Sequence, residues 1–177
     1  MFDPLIELKP IHASRTDQDR FHSGELPLVW AERYPSLFDE HCLSNAIRQP
    51  GIHFAEWFTA IWFFENKGLL SLNQQYRFDK HQRKRAVIKE LADEIMLAAI
   101  ADSRSVCASG AEPPDLVVYS TDHSFWFFCE VKKRDGAYRD TIKPNQQDYF
   151  SALARLRGAP VLVQPVVISL DQSRSSL

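Results

Sequence analysis

Residues 114–132 constrain the fold more than any other part of the chain. Two apolar, aromatic-rich runs, Leu116-Val117-Val118-Tyr119 and Phe125-Trp126-Phe127-Phe128-Cys129, are parted by Ser120-Thr121-Asp122-His123-Ser124. Branched and aromatic residues on both sides of a short polar turn predict a β-hairpin. Asp115 lies near the start of the first strand, and Glu130 and Lys132 lie near the end of the second. Side chains alternate faces along a strand, so Glu130 and Lys132 share one face while Val131 takes the other. Antiparallel pairing then brings Asp115 to them.

Two converging carboxylates repel, and they ionise together at low cost only with a cation between them. A hard divalent ion, Mg²⁺ or Mn²⁺, fits such a place, because it prefers carboxylate, carbonyl and water oxygens. Asp115, Glu130 and the Val131 carbonyl are the expected ligands. Lys132 is placed to orient or deprotonate a water, or to offset charge on a phosphate as its P–O bond breaks.

Pro114-Asp115, Glu130-Val131-Lys132 and the downstream Lys143-Pro144-Asn145-Gln146 resemble the PD-(D/E)xK nuclease superfamily, and most closely its VRR-NUC branch, over residues 50–170. The resemblance implies a restriction-endonuclease-like α/β core, a central mixed sheet flanked by helices. It also implies metal-dependent hydrolysis of DNA and selectivity for branched structures such as flaps or four-way junctions, with a possible homodimer. Within it, Gln146 is a site residue with Gln147 as rival, and Tyr149 is the aromatic of the following helix. A glutamate on the helix before the sheet is also implied. Glu56 matches best and Glu65 competes. Glu65 belongs to a polar turn ending at Gly68, whereas Glu56 lies among Phe54, Trp57, Phe58 and Trp62, where an acid needs a partner.

Periodicity and turn residues organise the remainder. A helix is predicted over 53–66, a strand over 72–78, an amphipathic helix over 83–102, a loop over 103–113, and a helix over 145–157 capped by Gly158. A last strand over 159–170 contains Pro165, which predicts an edge position or a bulge. Residues 1–50 read as a proline-rich extension of unassigned role, on or beside the core, with a short helix over 29–42. Residues 171–177 read as a polar, disordered tail.

A net charge of −2 argues against a protein whose whole surface coats nucleic acid. The distribution of charge matters more. Arg83, Lys84 and Arg85, with Lys80 and Lys89, form one basic cluster; Lys133, Arg134, Arg139 and Lys143 form another around the acids. Both suit phosphate contacts, which position a nucleic acid without reading its sequence. Cations at a helix start oppose the macrodipole, which favours a compensating anion there. Three scattered cysteines, no basic leader with a long apolar stretch, and no bilayer-length apolar run predict a reduced, cytoplasmic protein without membrane contact. No phosphate loop, serine-hydrolase elbow or zinc pattern is present. Two other readings stand beside the structure-selective nuclease: a sequence-specific restriction-type endonuclease, and a non-cleaving binding module on the same fold.

Overall fold

The computed structural model describes residues 10–73, 81–92, 114–154 and 163–171. The chain is α/β. Its elements are β1 (Ile11–Ser14), α1 (Arg15–His22), α2 (Glu25–Arg33), α3 (Glu40–Arg48), α4 (Phe54–Lys67), β2 (Leu70–Asn73), α5 (Gln82–Leu91), β3 (Leu116–Tyr119), β4 (Trp126–Asp135), β5 (Tyr138–Arg139), α6 (Pro144–Ala154) and β6 (Val163–Asp171).

The strands form one mixed sheet in the order β1-β6-β4-β3-β2, with β5 paired to the far end of β4. β2, β3 and β4 are antiparallel neighbours; β6 runs parallel to both β4 and β1. Leu116 pairs with Cys129 and Tyr119 with Trp126, which is the predicted hairpin. β4 does not stop near Lys132 as expected. It runs on to Asp135, because β6 continues beside it and the chain doubles back as β5. Its polar end is therefore strand by virtue of distant partners rather than local propensity.

Alternation along these strands divides the core in two. Leu116, Val118, Phe127, Cys129 and Val131 pack with α4 on one face. Val117, Phe128 and Leu72 pack with Ile88 of α5 and Tyr149 of α6 on the other. In α4, Phe54, Trp57, Ala60, Ile61 and Phe63 recur at helical spacing and are buried. The helix stops at Gly68, whose φ of 65° lets its N–H return to the Phe63 and Phe64 carbonyls. Phe38 stacks on Trp57 at 3.7 Å, and Phe21 meets Phe54 and Trp57 edge-on. Truncating Trp57 to alanine is expected to cost about 3–5 kcal/mol.

Residues 11–48 are thus part of the core rather than an appendage, since they add β1 to the sheet and Phe21, Leu37, Phe38, Cys42 and Ala46 to the interior. The expected helix over 29–42 is instead two helices, broken at Tyr34–Asp39 around Pro35. Asp39 starts the second by accepting the Cys42 N–H at 2.8 Å. Pro165 lies opposite Glu130 in β6, below the stretch that β1 covers, which begins at Ile168. Among the described residues that part of β6 has a strand on one side alone, so the edge expectation holds locally.

Several expectations fall outside the described residues: the strand after Asn73, the helix after Ala92, the loop 103–113 with Cys107, the helix end with Gly158, and the tail after Asp171. Among the described residues no helix is long and apolar enough to cross a membrane.

Candidate active site

The hairpin turn sets the register that builds the site. Asp122 Oδ1 accepts both the Ser124 N–H at 3.1 Å and its hydroxyl at 2.7 Å, and Ser120 closes onto the Phe125 carbonyl. With Leu116 opposite Cys129, the next step places Asp115 opposite Glu130 on the same face. Asp115 is not itself in the ladder. It sits in a bend before β3, and its Oδ2 accepts the Val131 N–H at 2.7 Å. A carboxylate thus replaces a missing strand carbonyl. The N–H and C=O of an extended residue leave on the same side, so the Val131 carbonyl also faces the gap beyond the start of β3.

Glu130 and Lys132 are buried, at 1% and 7% exposure. Lys132 Nζ lies 2.7 Å from Glu130 Oε1 and 2.9 Å from Gln146 Oε1, while Gln146 Nε2 donates to Glu130 Oε1 at 2.7 Å. Gln146 Oε1 also accepts the Lys143 backbone N–H at 3.1 Å. The start of α6 is therefore fixed to the middle of β4 by one side chain. Gln146 is buried and joins this network, whereas Gln147 is exposed. Glu130 Oε2 is buried with no hydrogen-bond partner. An acceptor left so costs on the order of 1–3 kcal/mol or more when charged.

Glu56 approaches from α4. Its side chain is 20% exposed and its Oε1 lies 3.7 Å from His53 Nδ1. Burial pushes its carboxyl above the ordinary range, and the nearby Glu130 and Asp140 charges add to that. Asp115 is held well above its usual value, first by burial and then by Glu56 and Glu130. Burial likewise raises Glu130, against the opposing pull of the Lys132 hydrogen bond and charge. These mutual effects place three acids from three elements within electrostatic reach. Glu65 is elsewhere, bonded to the Tyr34 hydroxyl and 3.7 Å from Arg33.

Asp140 belongs to the same group and was missed in the sequence. Its Oδ2 lies 3.8 Å from Lys132 Nζ, and its N–H donates to the Lys133 carbonyl at 2.9 Å. The signal was Asp135-Gly136-Ala137-Tyr138, where Gly136 at φ 55° opens a two-residue turn. Such a turn pairs Arg134 with Arg139 and brings Asp140 back beside Lys133.

Among the described residues, no three His, Cys, Asp or Glu side chains are gathered tightly enough to form a metal cage. The donors nevertheless suit one kind of ion. They are carboxylate and carbonyl oxygens, one of them an orphaned oxygen on Glu130, and burial, with the neighbouring acids adding at Asp115, holds Asp115 and Glu130 above the ordinary carboxylate range. Mg²⁺ is ordinarily held by one or two carboxylates plus water and phosphate oxygens rather than by a cage.

The basic residues separate into distinct roles. Lys133 borders the cleft next to Glu56 and lies 4.0 Å from Asp135, which also pairs with Arg15. Arg134 is half-buried, while Arg139 and Lys143 are exposed; Arg139 donates to the Tyr138 carbonyl at 2.9 Å. Arg83 is 3.4 Å from Asp39 and donates to the Ser36 carbonyl. Asp39 thus supplies an anion for Arg83 within the chain. Lys84 is 1% exposed and donates to the Asn73 carbonyl, so it is an interior cation and not part of a contact surface. Arg85 alone of those three is exposed.

No family model matches the chain, and no curated protein or solved structure matches it.

Proposed function

We propose that this chain is a Mg²⁺- or Mn²⁺-dependent nuclease of the PD-(D/E)xK kind, with a VRR-NUC-like, restriction-endonuclease-like core, hydrolysing phosphodiester bonds in DNA. The observation that carries the reading is the buried Glu130–Lys132–Gln146 network, with Glu130 Oε2 unpartnered and Asp115 and Glu56 close by. The order of elements supports it as well. A helix bearing Glu56 leads into the antiparallel strands, and a helix bearing Gln146 and Tyr149 follows.

Asp115, Glu130, Glu56 and the Val131 carbonyl are the groups that hold the ion. A cation bound there would supply Lewis-acid charge and lower the pKa of a water, making hydroxide available at neutral pH. Lys132 keeps an ammonium beside the reacting phosphate, where positive charge offsets the negative charge that develops. Gln146 fixes Lys132 and Glu130 relative to each other. Lys133, Arg139, Lys143 and Arg85 attract the phosphate backbone and carry no base readout. Selectivity then rests on DNA shape, with branched DNA as the expected substrate and a second copy of the chain lengthening the basic surface.

One observation favours a second reading, a binding module that does not cut. Lys132 already lies against Glu130 as its counter-charge without any metal ion. The two readings part in a cleavage assay on linear duplex, single-stranded, flap and four-way-junction DNA with Mg²⁺, Mn²⁺ or EDTA. The nuclease cuts with metal and prefers branched forms, and Asp115→Ala and Lys132→Ala abolish cutting while binding persists. Intact binding with no metal-dependent cutting of any substrate would establish the second reading.

A further inference from the structure

The cleft against Glu56 has an unusual rim. Its lining includes Glu56, Val131, Lys133, Ile52, Tyr138 and Asp140, and its volume is about 250 Å³. Ile52 is 50% exposed and Tyr138 is 58% exposed. A single exposed apolar residue is ordinary, but two large ones flanking one polar cleft are not scattered surface. Both are held in place. Tyr138 pairs with Asp135 immediately after the Gly136 turn, and the Ile52 N–H donates to the Gln49 carbonyl at 3.2 Å.

The cleft shares Glu56, Val131 and Asp140 with the proposed site, so a group joined to the phosphate that site receives would lie within its reach. A duplex backbone offers phosphates and sugars, which call for cations and donors. An exposed aromatic ring and an exposed branched aliphatic chain lining the same cleft suit the flat faces of a base. Lys133 beside them provides for the adjoining phosphate.

We propose that this cleft receives one unstacked nucleotide of the substrate strand, its base against Tyr138 and Ile52 and its phosphate toward Lys133. The inference rests on the nuclease reading and deepens it. The substrate class is DNA that is single-stranded or splayed at the nucleotide next to the scissile phosphate, and continuous duplex is disfavoured because a base must first leave the stack.

Binding of a labelled single-stranded oligonucleotide, measured with Ca²⁺ in place of Mg²⁺, tests it for wild type, Tyr138→Ala and Tyr138→Phe. Stacking on an aromatic side chain corresponds to a loss of roughly 5- to 150-fold in Kd on truncation to alanine. Tyr138→Ala is expected to lose a factor in that range with an unchanged melting temperature, and Tyr138→Phe is expected to bind like wild type. A single abasic position scanned along the strand should weaken wild type at one place and leave Tyr138→Ala indifferent there. Wild-type affinity in Tyr138→Ala, or an equal response to every abasic position, overturns the inference. The readout is binding alone, so an absence of metal-dependent cutting refutes the nuclease reading without deciding this one.

Discussion

Gln146 Nε2 donates to Glu130 Oε1 at 2.7 Å while its Oε1 accepts from Lys132 at 2.9 Å, so one neutral amide joins both ends of the buried ion pair. Gln146→Ala removes both contacts and leaves Lys132 Nζ with Glu130 and Asp140 as its ion-pair partners. The variant is expected to lose about 2–4 kcal/mol of stability, since hydrogen bonds to charged groups are the stronger ones. Because Gln146 orients other groups, cleavage should fall about 10- to 100-fold, mainly in kcat. Gln147→Ala, on the exposed side, should stay within about 0.5 kcal/mol of wild type. Denaturant melts and steady-state kinetics on the pair decide the matter; equal behaviour of the two variants would remove Gln146 from the site.

The hairpin and its three charges were legible because their signal is local: apolar runs, a polar turn, and alternation that fixes a face. Gly68 ending α4 was legible for the same reason. What escaped the sequence depends on distant partners. Lys133-Arg134-Asp135 reads as the start of a basic loop and becomes strand only because β6 and β5 flank it. Phe21, Leu37 and Phe38 are dispersed among prolines and polar residues, and their shared burial follows from Trp57 and Phe54 on α4. Asp140 enters the site through a two-residue turn between positions that composition labels merely basic.

Lys84 and Arg85 are neighbours in sequence with opposite surroundings, and their alanine variants should separate cleanly. Lys84→Ala leaves the Asn73 carbonyl without that donor and opens interior space, for an expected loss of about 2–4 kcal/mol. DNA affinity of the folded variant should be unchanged. Arg85→Ala should leave stability within about 0.5 kcal/mol and lower the slope of log affinity against log salt by about 1. Thermal melts with binding isotherms at several salt concentrations measure both. A salt-slope change in Lys84→Ala at full folding would contradict the interior role.

His53 precedes α4 with φ at 81°, a conformation that costs an ordinary side chain about 1–2 kcal/mol, and its Nδ1 is buried without a hydrogen-bond partner. Burial also lowers its pKa to about 4. Glycine takes this backbone freely, whereas a branched residue resists it most. His53→Gly should therefore be more stable than His53→Val by about 1–2 kcal/mol, the reverse of the order expected where backbone angles are ordinary. Equilibrium unfolding of the two variants compares them directly; a more stable valine variant would mean that the chain relaxes out of the left-handed region.

Asp115 gives the pH dependence. Burial, then Glu56 and Glu130, hold its carboxyl well above the usual aspartate value of about 3.9. The folded protein consequently keeps a proton that the unfolded chain has already released. Within that interval the unfolded state binds fewer protons, so each rise in pH favours unfolding. The contribution is most favourable below the ordinary aspartate pKa and is lost as pH climbs through the raised folded value. Asp115→Asn has no proton to release, yet its amide oxygen can still accept the Val131 N–H. In EDTA the stability of Asp115→Asn relative to wild type should therefore grow from about pH 4 to about pH 8. Adding Mg²⁺ at neutral pH should narrow that gap by stabilising wild type, because a cation compensates the ionised carboxylate that asparagine lacks. Urea unfolding of both proteins across this range, with and without Mg²⁺, provides the test. A gap that shrinks with rising pH in EDTA would mean that Asp115 is ionised and already balanced in the metal-free fold, which removes the electrostatic argument for a cation at this position.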